Sequence, residues 1–455
     1  MPGVVSEFAL WPAHRLAAAI RAGELSSRAV LDEYLARLDR FNPQLNAVVT
    51  VDPDSARRAA DAADAASVRG EDLGPLHGVP MTIKDSFDTA GLRTTCGHPE
   101  WDRVPAHDAV AVARLRGAGA VIFGKTNVPT RTANWQTANP IFGATNNPWD
   151  TARSPGGSSG GAAAALAAGL TALELGSDIA GSIRVPANWC GVCGHKPSWG
   201  IVPQRGHLPP PPGSLIDTDL GVMGPMARDV ADLQLTLDLL AGPDGPPADG
   251  WRLDLPPPRA PELSQLRVAT WLDDPAYPVY EDVRTVLESA ARAVYDAGAQ
   301  RVDTPPPTTL EELVGLHQIL LYPLMEPSSD LSHRQWLAAD ARRQQLRARL
   351  AEYFTGVDVL LTPVTVAPAI PHDHREFLDR TLGDGNRSYL DLFGWIGLAT
   401  VAYLPATVVP VGRTSAGLPV GVQIVGPYLH DRTTLAAARA IEELLGGFVA
   451  PPGYS

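Results

Sequence analysis

Two glycine- and serine-rich runs, 154–161 (SPGGSSGG) and 176–184 (GSDIAGSIR), constrain this chain more than any other feature. Their glycines permit sharp backbone turns, and their serines carry hydroxyls that both donate and accept hydrogen bonds. Residues 162–173 between them are almost all small or apolar and include no Asp, Glu, Lys or Arg. A surface helix would show a polar face, so this segment is expected to be a buried helix. Its burial would hold the two serine-bearing turns rigidly against one another. That is the construction of a preorganised hydrolytic centre, not of a flexible glycine linker.

The flanking sequence reads as alternating helices and strands. Leu16, Ala19 and Ile20 recur at helical spacing before Gly23, and Ser26 or Ser27 is placed to cap a second helix carrying Val30, Leu31, Tyr34, Leu35 and Leu38. Residues 45–51 look like a strand and 54–66 like an alanine-faced surface helix. The run 79–85 (VPMTIKD) is β-prone and ends in Lys84; 109–118 reads as a helix leading into a strand that ends in Lys125. A lysine at a strand end is ordinarily a solvated charge, and position does not say which of the two does chemistry. Residues 206–213 (GHLPPPPG) form a stiff exposed loop, and 242–261 is a Pro/Gly-rich linker or excursion. Beyond it, 266–271, 283–297 and 300–302 repeat a strand, helix, strand order. The region 308–354 is mostly helical, with 342–349 as a solvated charged face. Strands at 358–363, 407–410 and 421–425 precede a closing helix that ends at Leu445. One large sheet with insertions and two separate domains both fit this pattern.

Composition narrows the function. A net charge of -13 argues against a nucleic-acid surface. Three cysteines, Cys96, Cys190 and Cys193, are too few for a disulfide framework and suit a reducing compartment. The Cys190-x-x-Cys193 spacing with His195 nearby invites a metal reading, but no second ligand pair completes one, and buried thiols are the preferred account. The start of the chain lacks signal-peptide features, and no apolar run reaches the roughly 20 residues of a spanning helix. A cytoplasmic protein that binds no membrane is therefore expected. A glycine-rich turn also suits phosphate, yet the Gly-x-x-x-x-Gly-Lys-Ser/Thr pattern is missing.

Taken together, 79–85, Asn147-Pro-Trp149-Asp150, 156–161, 176–184 and 417–426 (GLPVGVQIVG) resemble the signature of the amidase signature family in residue type, order and spacing. The resemblance covers most of the chain, with 240–400 the least diagnostic part. It implies an α/β fold, a large twisted mixed sheet sandwiched between helices, in a single domain 1–455. The signature core would span 70–230, and a variable, mostly helical 308–395 would form a pocket wall or cap. It also implies a serine hydrolase without a catalytic histidine, metal or organic cofactor. Ser182 matches the nucleophile, Ser158 the bridging serine on a cis peptide bond after Gly157, and Lys84, rather than Lys125, the base. The amides of Ile179, Ala180, Gly181 and Ser182 match the oxyanion hole, and Asp178 and Arg184 match residues that brace the turn. Ala180 departs from the glycine common at its position, so a negative φ is expected there.

The chemistry is coherent. Burial lowers the pKa of a lysine, a neutral amine can take the Ser158 proton, and Ser158 can take that of Ser182. Trp135, Trp189, Trp199, Tyr322, Met325 and Trp395 are candidates for an aromatic pocket, which favours aryl or medium-chain acylamides and brings carbamates and esters within reach. The family resembled also includes a glutamine-hydrolysing subunit of a tRNA-dependent amidotransferase, which would need protein partners. A noncatalytic binding protein on the same fold is the third class. A homodimer enters by resemblance alone.

Overall fold

The computed structural model describes residues 7–72, 74–260, 262–325, 330–383 and 385–455, with the side chains of Glu7 and Met325 outside the description. Among the described residues, eleven strands form one mixed sheet flanked by helices. In chain order they are β1 (Val48–Val51), β2 (Pro80–Lys84), β3 (Val121–Thr126), β4 (Glu174–Asp178), β5 (Cys193–Lys196), β6 (Val222–Ala227), β7 (Arg267–Thr270), β8 (Gln300–Val302), β9 (Val359–Pro363), β10 (Ala406–Arg413) and β11 (Pro419–Val425). Their spatial order is β1-β3-β2-β4-β6-β5-β10-β11-β9-β7-β8. One continuous sheet thus joins the α/β patterns on either side of the Pro/Gly-rich stretch, where Leu255 and Ala260 are themselves buried.

The strands that carry the site are parallel neighbours. β2 pairs with β4 through Thr82↔Glu174 and Ile83↔Leu175, so Lys84 and Ser177 leave the sheet at the same end. Both strands are buried along their whole length, polar residues included.

The segment between the serine runs is shorter as a helix than its composition suggests. Helix α1 (Gly160–Ala167) is buried at every residue, but it stops at Ala168 and the chain turns through Gly169 at φ +63°. Residues 170–173 return the chain to β4, with Thr171 Oγ1 accepting from the Thr82 amide at 3.0 Å. Gly161 is required at the start of α1, because a Cβ there would lie 2.6 Å from the Asn127 carbonyl oxygen and 2.7 Å from that of Ala47. The turn bearing Ser182 leads into helix α2 (Arg184–Cys190), also wholly buried.

Other expectations are refined. Ser26 caps the second N-terminal helix, its side chain accepting from the Ala29 amide at 3.0 Å. The 206–213 loop is not simply exposed: Leu208 is buried and its amide donates to the Ser86 carbonyl at 2.7 Å, while only 211–213 face solvent. Within 342–349, Arg343 is buried because its guanidinium pairs with Asp219 and Asp340. Helix α3 (Leu310–Met325) packs on α4 (His333–Gly356) and on α5 (Phe393–Val401), and His317 of α3 and Ile396 of α5 reach the turn that follows β4 and its Arg184. No helix among the described residues is long and apolar enough to cross a membrane.

Candidate active site

Lys84 is fully buried at the end of β2, and its Nζ lies 2.7 Å from Ser158 Oγ. The same amine reaches Ser177 Oγ at 2.9 Å and the Ser177 carbonyl at 3.4 Å. Burial pushes its pKa from 10.5 down to about 7, against the opposing pull of Cys96, Asp178 and Glu174. Glu174 opposes only weakly, since burial raises its own carboxyl to about 8. Lys125 ends the neighbouring strand in a different setting: its Nζ donates to the Phe87 carbonyl at 2.7 Å and Thr94 Oγ1 at 2.9 Å, and lies 3.5 Å from Asp85. The two lysines are therefore told apart by partners, not by burial.

The peptide bond between Gly157 and Ser158 is cis. A side chain at Gly157 would run into the Asn134 carbonyl and lie 2.9 Å from the carbonyl carbon of Trp135. The two serine turns touch directly, the Ser159 amide donating to the Ser182 carbonyl at 3.1 Å. Ser182 is 5% exposed and lines two cavities.

Asp178 organises the Ser182 turn from beneath. Its Oδ1 accepts from the Gly181 amide at 2.8 Å and its Oδ2 from the Ile183 amide at 3.1 Å. Burial alone would raise this carboxyl, but the Arg184 guanidinium outweighs burial and holds it well below the usual carboxylate range. Of the four amides matched to an oxyanion hole, that of Gly181 is thus engaged by a carboxylate. Those of Ile179, Ala180 and Ser182 meet no acceptor among the described residues. Ala180 stays out of the left-handed region, which Gly181 beside it occupies at φ +85°. The carbonyls of the turn are held from outside: Trp135 Nε1 donates to Ala180 at 2.7 Å and His317 Nε2 to Ile179 at 3.1 Å.

Comparison with known proteins decides the family. The family model described as Amidase matches residues 29–323 and 312–435. The chain belongs to the amidase signature family. A relative from Synechococcus sp. (strain CC9605), the A subunit of a glutamyl-tRNA(Gln) amidotransferase, is 34% identical over 489 residues, covering 95% of this chain and 96% of that protein. Among solved structures, a vestigial protein complex revealing the evolutionary origins of an s-triazine catabolic enzyme contains a chain 29% identical, with a TM-score of 0.82 and coverage of 97% and 100%. A bacterial aryl acylamidase of the amidase signature family is 25% identical, with a TM-score of 0.81 and 96% coverage of both chains. The chain accordingly shares the fold and the Ser-cisSer-Lys type of C–N hydrolase.

In this amidase signature chain the larger cavity, of about 820 Å³, opens from Ser182 between the 132–135 loop, α3 and the segment leading into α5. Of the six aromatic and methionine candidates, Trp135 and Tyr322 line it. Trp189 lies in the core, its Nε1 donating to the Ala367 carbonyl at 3.2 Å, and Trp395 likewise donates to the Tyr277 carbonyl at 3.1 Å. Trp199 stacks on Tyr403 with ring centroids 4.6 Å apart, away from the lining. The Trp189 and Trp395 indoles are drawn to a packed interior by their area and their need for an acceptor. The Met325 side chain lies outside the described residues. Sequence reading passed over Ile319, Phe377 and Phe393 in the lining, and Ser177 and His207 beside Lys84. Ser177 was legible in the run GSDIAGSIR; His207 was hidden in a proline-rich loop that carries no periodic signal. The suspected metal ligands disperse: His195 bonds Thr407 and Asp431, and Cys190 and Cys193 approach the carbonyls of Pro155 and Arg228.

Proposed function

We propose that the chain hydrolyses amides with an apolar acyl or amine part, aryl or medium-chain acylamides, with Ser182 as nucleophile, Ser158 as proton bridge and Lys84 as base. The lining of the larger cavity carries this reading. Trp135, Ile319, Phe377, Leu378, Leu390 and Phe393 face it, and no Asp, Glu, Lys, Arg or His lines it among the described residues. An aryl or alkyl group gains about 25 cal/mol per Å² of apolar surface on entering such a site. A substrate ammonium or carboxylate would be desolvated there without a charged partner, at a cost of several kcal/mol. The lining residues from 318 to 393 support the placement of a pocket wall in 308–395, set against a catalytic core in 70–230.

In this mechanism the neutral Lys84 amine accepts the Ser158 proton and Ser158 accepts that of Ser182, so the attacking oxygen gains nucleophilicity as the C–O bond forms. The amides of Ile179, Ala180 and Ser182 receive the tetrahedral oxyanion. The relay then returns the proton to the departing amine, and water, activated the same way, releases the acid from Ser182. Carbamates and esters pass through the same kind of intermediate, so their hydrolysis by this centre belongs to the proposal.

A second reading is favoured by sequence relationship. The Synechococcus relative belongs to a glutamyl-tRNA(Gln) amidotransferase, its identity exceeds that of the aryl acylamidase, and it is matched almost end to end. On that reading the chain would hydrolyse glutamine and pass ammonia to a partner. Sequence thus leans to the glutaminase, and the pocket lining to the acylamidase.

Purified protein and Ser182→Ala should be assayed side by side on aliphatic amides, anilides, aryl carbamates, esters and glutamine. Turnover of anilides or medium-chain amides that is lost in the variant is the expected result. Turnover of glutamine alone would move the chain to the second reading, and equal rates for variant and parent would overturn the serine mechanism.

A further inference from the structure

His207 and Lys84 both bond the Ser177 hydroxyl. Its Nε2 lies 2.9 Å from Ser177 Oγ and 3.1 Å from Ser86 Oγ. The ring is fixed edge-on against Phe87 at 4.8 Å, and residues 87 and 207 form an isolated antiparallel bridge. The segment that follows Lys84 in sequence therefore clamps the imidazole beside the amine. The chain of contacts runs His207 Nε2, Ser177 Oγ, Lys84 Nζ, Ser158 Oγ, with separations of 2.9, 2.9 and 2.7 Å.

A proton inventory makes this arrangement directional. A neutral lysine amine has two N–H donors and one lone pair, and to act as a base it must turn the lone pair toward Ser158. Ser177 offers two acceptors for the two N–H groups, its hydroxyl and its carbonyl. The carbonyl can only accept. The hydroxyl can also donate, and if it did so it would occupy the lone pair that Ser158 needs.

We propose that His207 is a positioning residue for Lys84: with Nε2 unprotonated it accepts a hydrogen bond from the Ser177 hydroxyl, so that Ser177 Oγ can only accept from the amine and the lone pair stays on Ser158. The tautomer follows from the partners. The Pro209 carbonyl, which only accepts, favours a ring proton, and Nε2 faces two hydroxyls able to donate. Desolvation, reinforced by the charge of Lys84, pushes the imidazole down to about 3, so it stays neutral throughout the working range of an amine of pKa about 7. Lys84 is the titratable group facing His207; Cys96, Asp178 and Glu174 are those facing Lys84. The inference rests on Lys84 being the base.

The chain contains three lysines, Lys84, Lys125 and Lys196, all buried, so lysine labelled at Cε gives three resonances for the full chain. Their titration by NMR reads the link directly. In His207→Leu, or His207→Phe should the leucine variant not fold, Ser177 is free to donate to the amine. Only the neutral amine can accept, so the Lys84 midpoint should fall by about one pH unit. His207→Gln, whose side-chain oxygen can stand near the Nε2 position, should restore it. In a Ser177→Ala background the His207 substitution should move nothing. kcat/KM at pH 8 should fall about tenfold in His207→Leu with KM unchanged. An unchanged or raised midpoint, with the Lys125 and Lys196 resonances in place, would overturn the proposal. Turnover by Lys84→Ala would instead overturn the assignment of the base, while the midpoints alone decide whether His207 and Lys84 are linked.

Discussion

Arg184 grips Asp178 with two hydrogen bonds, Nε to Oδ2 at 3.0 Å and Nη2 to Oδ1 at 2.9 Å, and both residues are buried. The remaining guanidinium N–H groups donate to the Ile396 carbonyl, Gln423 Oε1 and Thr400 Oγ1, so all five are satisfied. Through Asp178 this fork sets the amides of the Ser182 turn; through Ile396 and Thr400 it ties that turn to α5, next to the cavity. Arg184→Lys keeps the charge but not the fork. It should lower unfolding free energy by about 1–3 kcal/mol, the cost of leaving buried acceptors of the fork unpaired, and reduce kcat in the molecules that remain folded. A urea titration beside the kinetics checks both; a loss below about 1 kcal/mol would mean that the turn is held by other contacts.

The Lys84 amine, lowered to about 7 by burial, should write itself into the pH profile. The base is the neutral form, so kcat/KM should rise with unit slope up to about pH 7 and level off above it. A profile flat from pH 5 to about 9 on a substrate whose own groups do not titrate there would contradict the assignment.

The same shift acts on stability with a defined sign. The folded amine releases its proton near 7 and the unfolded one near 10.5, so between those values the unfolded chain binds more protons and stability rises with pH. Below pH 7 the full penalty of the buried charge is present. Lys84→Met should therefore be more stable than the parent by about 2–4 kcal/mol at pH 6, with the advantage shrinking as pH rises from 7 toward 10.5. Chemical denaturation at pH 6 and 9 tests this, and a destabilised variant at both pH values would show that the amine is held mainly by its hydrogen bonds.

Gly157 packs where no side chain fits, against the Asn134 and Trp135 backbone. Gly157→Ala should cost about 1–3 kcal/mol of stability and displace Ser158 from Lys84, lowering kcat more than tenfold. A folded variant with parental kcat would show that the 134–135 loop yields.

The glycine-serine runs, the apolar segment between them and the two strand-end lysines were all readable along the chain, because turn chemistry, period and composition are local properties. The family likeness drawn from those runs agrees with the match across 29–323 and 312–435. The extent of the helix after Ser159 was not readable: composition marks burial equally for a helix and for the return to a strand, and Gly169 ended the helix. Nor did the sequence separate pocket aromatics from core aromatics. Trp135 and Trp189 are the same residue type near the same motifs, yet one borders the cavity and the other lies sealed within α2.

By itself, then, the sequence determined which side chains the two serine runs and the strand-end lysines carry and what chemistry they can do. Only the tertiary structure decided that Ser177 and His207 stand beside Lys84 and that Phe377 and Phe393 complete the cavity. The physical reason is distance in the chain. Such contacts join segments far apart in sequence, and no local pattern announces the partners that Lys84 meets.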